Sequence, residues 1–595
     1  MMLQALMAYA EREGFDPDFE SVPVQWRIPL DANGKWLGSV IPLLADSTAK
    51  RPSPKLLLRP FSRSDDVGHG RAYFLCDNLE RALAFPVADN PEKTEKRKTN
   101  FAYFKGLLRE AAEDCLDEAD CLKAVLSFLN DDEELPRVHQ ALRSQGCKPT
   151  ENVDIEVNGK SLLNLHNLQN WWRRRREAEQ LQVGGIPVMS LASGEMVIPV
   201  QTAGKIDGIP GAPPAGMNLI SFDKDSFRSY GLEKALNAPV SHTEDAKITG
   251  ALNKLIASSY RLEDVRYLHW MREPDTDPFD LLETADEAVV AELLRSPLKG
   301  TLPSGLASNK YYLLSLSGNG GRIVVRDWLE STVPEVEANI RNWFDHLTIA
   351  NEREGGTKSA FKLYALLATL VPRKNEKADF EKLPPQLSAQ LLRSAMTGGA
   401  LPSSLLAAAV TRQDLGGEQK LSPARLALIK LYLVRNHSAS PLEQKAMSDK
   451  LKQLDPTSTD IAYLCGQLFA VIGRLQLLAL GKVGTSLAER TYGGVATRPA
   501  STIGPIFTKV PAYLKKANSR FPGAGTNKQK EIETLSARID AVNKAEDRLG
   551  FPPFLGLEEQ GRFALGYYCQ LAQYRADRIE AEIEKEAEEL PDDSQ

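Results

Sequence analysis

A chain of 595 residues, 42% hydrophobic and 26% charged, is long enough for several domains and apolar enough to bury their cores. Its net charge of −6 excludes a protein that coats nucleic acid with its whole surface, so phosphate contacts must come from local Lys and Arg clusters. Six cysteines without CxxC spacing fit neither a zinc site nor a disulfide framework, and they point to a reducing, cytoplasmic setting.

The opening MLQALMAYAERE places Leu3, Leu6, Met7 and Ala10 at the spacing of a short amphipathic helix, and acidic residues follow too soon for a signal peptide. VQWRIPLDANGKWLGSVIPL then reads as a hairpin turning at Asn33-Gly34. KLLLRP and AYFLCDN look like strands, and KTEKRKTN from Lys93 to Asn100 reads as a solvated basic loop. Helices follow over 100–109 and 120–129, then a second hairpin, NVDIEVNGKSLL, turns at Asn158-Gly159. The Gly- and Pro-rich stretch from Gly184 to Gly216 suits short strands and loops. A third hairpin, KYYLLSLSGNGGRIVVRDWLE, turns within Gly318, Asn319, Gly320 and Gly321, and the pattern becomes helical after Asp327.

The last third is rich in Ala and Leu at helical spacing. Its longest apolar stretch, Ile461 to Leu480, is interrupted by Gln467, Arg474 and Gln476 and reads as a buried helix, with no membrane partner implied. The acidic end, Glu588 to Gln595, is expected to fray. The fold expected is α+β: a mixed α/β body with several β-hairpins over 1–340, a helical connection over 341–445, and an all-α bundle over 446–595.

Catalytic motifs are absent. The seven histidines show no metal or nuclease spacing, and neither HExxH, GxSxG nor a phosphate loop occurs. His242-Thr243-Glu244-Asp245 has metal-ligand residue types but reads better as a capped helix start. No catalytic residue, metal or cofactor is expected.

Basic features are more informative. Trp171 and Trp172 precede Arg173, Arg174, Arg175 and Arg176, a set able to fork onto phosphates and stack on bases; the competing reading buries the tryptophans while the arginines snorkel. Lys509, Lys515, Lys516, Arg520, Lys528 and Lys530 flank FPGAG and suit a strand-tracking loop or a plain exposed linker. In the GNGGR turn the glycines admit a close duplex approach, Asn319 can donate into a minor groove, and Arg322 and Arg326 supply cations.

Several ordered segments resemble a known family. LQALMAYAERE, YFLCDN, FAYFKGLLRE, NLISFDKDSFRSYGLEKALNAPVS (Asn218 to Ser241), YYLLSLSGNGGRIVVRDW and RFALGYYCQ together resemble the large subunit of the type I-C CRISPR Cascade; Cys569 stands where many relatives carry His. The resemblance implies a non-catalytic, DNA- and RNA-binding subunit near the crRNA 5′ handle. It recognises the PAM in target duplex DNA, promotes unwinding and R-loop formation, and recruits a separate helicase-nuclease in antiviral defence. Pairing with the guide reads the target, as in other guided effectors. Implied partners are the Cascade backbone subunits, the crRNA-processing subunit and small subunits. The C-terminal helices resemble the small subunit, and Met447 is a candidate internal start. Two other readings compete: a scaffold without direct PAM readout, and a metal-dependent nuclease. Within Asn218 to Ser241, the residues Leu219, Ile220, Phe222, Phe227 and Tyr230 look like core, while Lys224, Arg228, Asn237 and Ser241 are candidate nucleic-acid contacts.

Overall fold

The computed structural model describes residues 2–45, 53–61, 72–86, 91–182, 186–213, 216–222, 224–228, 230–274, 277, 279–284, 286, 289–290, 309–351, 354–374, 377–384, 386–411, 422–437, 440–481, 484–523 and 526–588. The acidic end after Glu588 lies outside them. The chain is 55% helical and 16% strand, an α+β composition. Its contacts define two compact units, Met1–Ser258 with Asn319–Ile323, and Ser259–Gly318 with Val324–Gln595. The boundaries expected near 340 and 445 fall within the second.

In the first unit, helix α1 (Met2–Arg12) buries Ala5, Leu6 and Ala10. The strands are β1 (Phe19–Val24), β2 (Trp26–Leu30), β3 (Ile41–Pro42), β4 (Lys55–Pro60), β5 (Asp77–Asn78), β6 (Asn152–Val157) and β7 (Lys160–Ser161). β1 pairs with β4, while the others form a sheet in the order β3-β2-β6-β5, with β7 on β6. β2 and β6 are parallel with Ile28 opposite Ile155, so their inward faces meet the same core. Asn158 and Gly159 take φ of 49° and 76°, the paired positive values of a two-residue hairpin turn.

Two expectations are corrected in this unit. The AYFLCDN segment is a strand only at β5, because the Asp77 carboxylate accepts the N–H groups of both Tyr73 and Asn78 at 2.7 Å and folds the backbone on itself. The KTEKRKTN run is not a loop but part of helix α2 (Pro91–Asp114). Proline suits the first helical position, and Lys, Arg and Glu are good helix formers. Helices α3 (Ala119–Leu129), α4 (Glu134–Ser144) and α5 (His166–Gln182) complete a core that includes Phe74, Phe104, Phe128, Trp171 and Trp172. The short strands β8 (Val188–Met189), β9 (Met196–Val197), β10 (Lys205–Ile206) and β11 (Met217–Asn218) occupy the Gly- and Pro-rich stretch and lead to α6 (His242–Ala257).

The second unit holds β12 (Tyr260–Leu262), β13 (Val265–Met271), most of β14 (Lys310–Asn319) and most of β15 (Arg322–Thr332). Contrary to the helical pattern read after Asp327, the chain stays extended to Thr332. Trp328 stacks on Tyr312 at 5.6 Å and lies 5.7 Å from Trp270, cross-strand aromatic packing that outweighs local helical preference. Helix α7 (Val333–Leu347) starts at the next residue on a Thr332–Glu335 capping box.

The connection expected to be helical is interrupted by two short strand pairs, Ile349–Ala350 with Thr357–Lys358 and Arg373–Lys374 with Lys377–Ala378. Beyond them the described elements are helices, including α8 (Pro423–His437), α9 (Pro441–Leu451), α10 (Ile461–Leu480), α11 (Val510–Arg520), α12 (Asn527–Leu549) and α13 (Leu557–Glu588). Among the described residues only α10 is long and apolar enough to cross a membrane, and 78% of its apolar window is buried in the core. It packs on α13 through glycines: a Cβ on Gly466 would stand 2.0 Å from the Phe563 carbonyl oxygen, and one on Gly566 2.1 Å from that of Tyr463. The LGYY segment is thus structural, since Tyr568, fully buried, also donates to the Ala350 carbonyl at 2.9 Å.

Candidate nucleic-acid interface

The GNGGR turn and the segment Asn218 to Ser241 are far apart in sequence but meet in the first unit. Asn218 of β11 pairs in parallel register with Arg322, the residue that closes the hairpin tip. Gly320 and Gly321 adopt φ of 57° and 86°, and a Cβ on either would meet nothing within 4 Å, so the tip is a tight turn open to a partner. Asn319 is exposed beside them. Gly318 and Arg326 belong to the second unit, where Arg326 donates to the Ser317 hydroxyl at 2.7 Å.

The Arg322 guanidinium lies over the Phe227 ring, 4.7 Å from its centroid, and Phe227 meets Phe222 edge-on at 5.6 Å. The expected core of this segment is therefore a surface layer: Leu219, Ile220, Phe222 and Phe227 are only half-buried, and Tyr230 is 90% exposed. With Lys224 and Arg228 also exposed, aromatic and cationic groups share one surface, which is the chemistry that bases and phosphates require. Arg228 is partly neutralised by Asp225 at 3.2 Å and Glu233 at 3.6 Å.

Asn237 and Ser241 make local bonds. The Asn237 amide donates to the carbonyls of Leu232 at 3.3 Å and Lys234 at 3.2 Å. Ser241 caps α6 reciprocally with Glu244. Burial works against the Glu244 charge, but the hydroxyls of Ser193 and Ser190 and the Ser241 N–H hold its carboxyl below the usual range. Asp245 accepts the Gly204 N–H at 2.9 Å. The His242–Asp245 cluster is accordingly a helix cap, and no group of metal-ligating residues gathers among the described residues.

The arginine quartet divides. Trp171 and Trp172 are buried against Phe74 and offer no face to a base. Arg173 pairs with Asp16 at 2.6 Å, Arg175 with Glu110, and Arg176 donates to the His242 ring at 2.8 Å. Arg174 is exposed, with no ion pair among the described residues.

In the second unit, Lys509, Lys515, Lys516 and Arg520 lie exposed on and beside α11, and Lys528 and Lys530 on α12, which packs against it. Lys528 pairs with Glu531 at 2.9 Å; Lys509, Lys515, Lys516 and Lys530 form no ion pair among the described residues. Each unit therefore carries a basic surface of its own.

Sequence reasoning missed Tyr230 as a surface group and passed over Lys234, exposed and left-handed at φ 47°. The adjoining Gly231, also left-handed at φ 72°, was the available signal that the chain turns there and leaves the core.

A model of the family described as CRISPR-associated protein (Cas_Csd1) matches residues 5–575. None of the curated proteins matches the chain. Because the family match spans nearly the whole sequence, the chain belongs to the Cas_Csd1 family of CRISPR-associated proteins, a family of Cascade subunits.

Proposed function

We propose that this chain is the non-catalytic large subunit of a crRNA-guided type I-C Cascade, acting in the cytoplasm, that recognises the PAM in duplex DNA through the hairpin tip and the adjoining segment. The observation that carries the reading is the pairing of Asn218 with Arg322, which joins an open Gly-rich turn to a surface bearing Tyr230, Lys224 and Arg228. A turn without side chains at Gly320 and Gly321 can approach a groove, Asn319 can read a base edge there, and the cations hold the backbone. The unpaired lysines of α11 and α12 suit the displaced strand of the R-loop, where affinity comes from phosphate neutralisation. A separate helicase-nuclease, recruited after DNA binding, does the cutting.

Removing the subunit tests this reading against a scaffold. Cascade assembled with its crRNA and the other subunits, with and without this chain, is titrated with duplexes that carry or lack the PAM. Loss of PAM preference on omission is expected. Preference retained without the chain favours a scaffold, and EDTA-sensitive cleavage by the purified chain favours a nuclease.

A further inference from the structure

Tyr230 is the most exposed large hydrophobic side chain among the described residues, at 90%. Its loop is nonetheless braced on both sides. Arg228 is tied to Asp225 and Glu233, and the Asn237 amide is bonded to the carbonyls of Leu232 and Lys234. The backbone around it is unusual: Gly231 has φ of 72°, and Lys234, which carries a Cβ, is held at 47°. A side-chain residue in this region is strained, and such strain gathers at binding sites.

The charged residues of this segment differ in their partners. Arg228 has carboxylate partners, whereas Lys224 and Lys234 are exposed and form no ion pair among the described residues. Tyr230 follows Phe227, the ring beneath Arg322, by three positions, so their Cα atoms lie within roughly 11 Å of each other. A flat aromatic face presented to solvent, in a segment that carries exposed lysines on either side of it in sequence, fits a planar ring flanked by phosphates, which is a nucleotide in a strand.

We propose that Tyr230 is a stacking platform for an unpaired nucleobase, filled when the duplex beside the hairpin tip opens. The inference rests on the DNA-recognition reading above and adds the group that the site holds. A duplex end or an opening base pair exposes a π-face that any of the four bases supplies, so the contact is insensitive to sequence. Lys224 and Lys234 would hold the flanking phosphates.

The test uses assembled Cascade with its crRNA and PAM-bearing duplexes carrying 2-aminopurine at successive positions beside the PAM. The wild-type complex should quench the probe at one position, and Tyr230→Ala should restore its emission there. Tyr230→Phe and Tyr230→Trp should keep the quenching, because they keep the ring. Affinity for the opened duplex should fall roughly 5- to 100-fold in Tyr230→Ala, the fold-change of one lost base–aromatic stack. Wild-type DNA binding with an unchanged emission profile in Tyr230→Ala overturns the stacking role alone. A wild-type complex with no PAM-dependent binding overturns the underlying reading as well.

Discussion

Arg322 stands over Phe227 at 4.7 Å and pairs in register with Asn218, so one residue joins the hairpin tip to two points of the neighbouring segment. A guanidinium on an aromatic face is a brace as well as a charge, contributing about 0.5–1 kcal/mol at an exposed site. Arg322→Lys keeps the charge but not the planar stack. It should speed amide exchange around Phe227 while leaving most of the salt dependence of DNA binding intact. Arg322→Ala should lose both. Equal binding by all three proteins would show that neither brace nor charge matters.

The basic surfaces should separate in a salt titration. Replacing Lys509, Lys515, Lys516 and Lys530 with Gln removes exposed cations that have no ion pair among the described residues. Each lost phosphate contact should lower the slope of log affinity against log salt by about 0.7–0.9. Arg174→Ala should behave likewise if that face touches DNA. Arg173→Ala instead breaks an ion pair with Asp16 and should act on stability. A slope unaltered by the fourfold lysine variant would place the displaced strand elsewhere.

Gly466→Ala and Gly566→Ala should each destabilise the helical region. Their Cβ atoms would meet backbone carbonyl oxygens at 2.0 and 2.1 Å, and backbone cannot swing aside as a side chain does. Overpacking of this kind costs about 1–3 kcal/mol or more. Urea unfolding followed by hydrogen exchange in α10 and α13 measures it. Wild-type protection in both variants would mean that the helices separate without cost.

Lys430 makes stability depend on pH. Its amine is fully buried and donates to the Asp345 carbonyl at 3.3 Å, the Thr348 carbonyl at 2.7 Å and the Ser448 hydroxyl at 2.9 Å. Burial pulls its pKa down to about 7, against the opposing charge of Asp345. The unfolded chain, with an ordinary lysine near ~10.4, binds more protons between those values. Stability therefore rises with pH across that window, and the penalty is complete below about 7. The gap in melting temperature between wild type and Lys430→Met should move in favour of wild type between about pH 6.5 and about pH 9. A gap that does not change with pH contradicts the burial of a titrating amine.

Local features were legible in the sequence, and distant ones were not. Asn158-Gly159 and Gly320-Gly321 are hairpin turns because two adjacent residues accept positive φ, which neighbouring residues alone decide. The strand from Asp327 to Thr332 was not readable as such, since Trp270 and Tyr312, which hold Trp328 in place, lie on other strands. The arginine quartet allowed both a phosphate site and buried tryptophans with snorkelling arginines, and the residues that engage three of its members, Asp16, Glu110 and His242, lie far away in sequence. Tyr230 shows the converse. Apolar residues in an aperiodic segment carry no periodic sign of which face is covered, and the neighbouring Gly231 was the one local mark of the turn that exposes it.

The most direct test of the account is the PAM preference of assembled Cascade, taken as the ratio of its affinities for duplexes with and without the PAM, at one fixed salt concentration. With Asn319→Ala in this subunit the ratio should fall toward unity while binding to the PAM-less duplex is unchanged. A wild-type ratio in that variant, and again in the double variant with Arg322→Ala, would contradict PAM recognition by the hairpin tip.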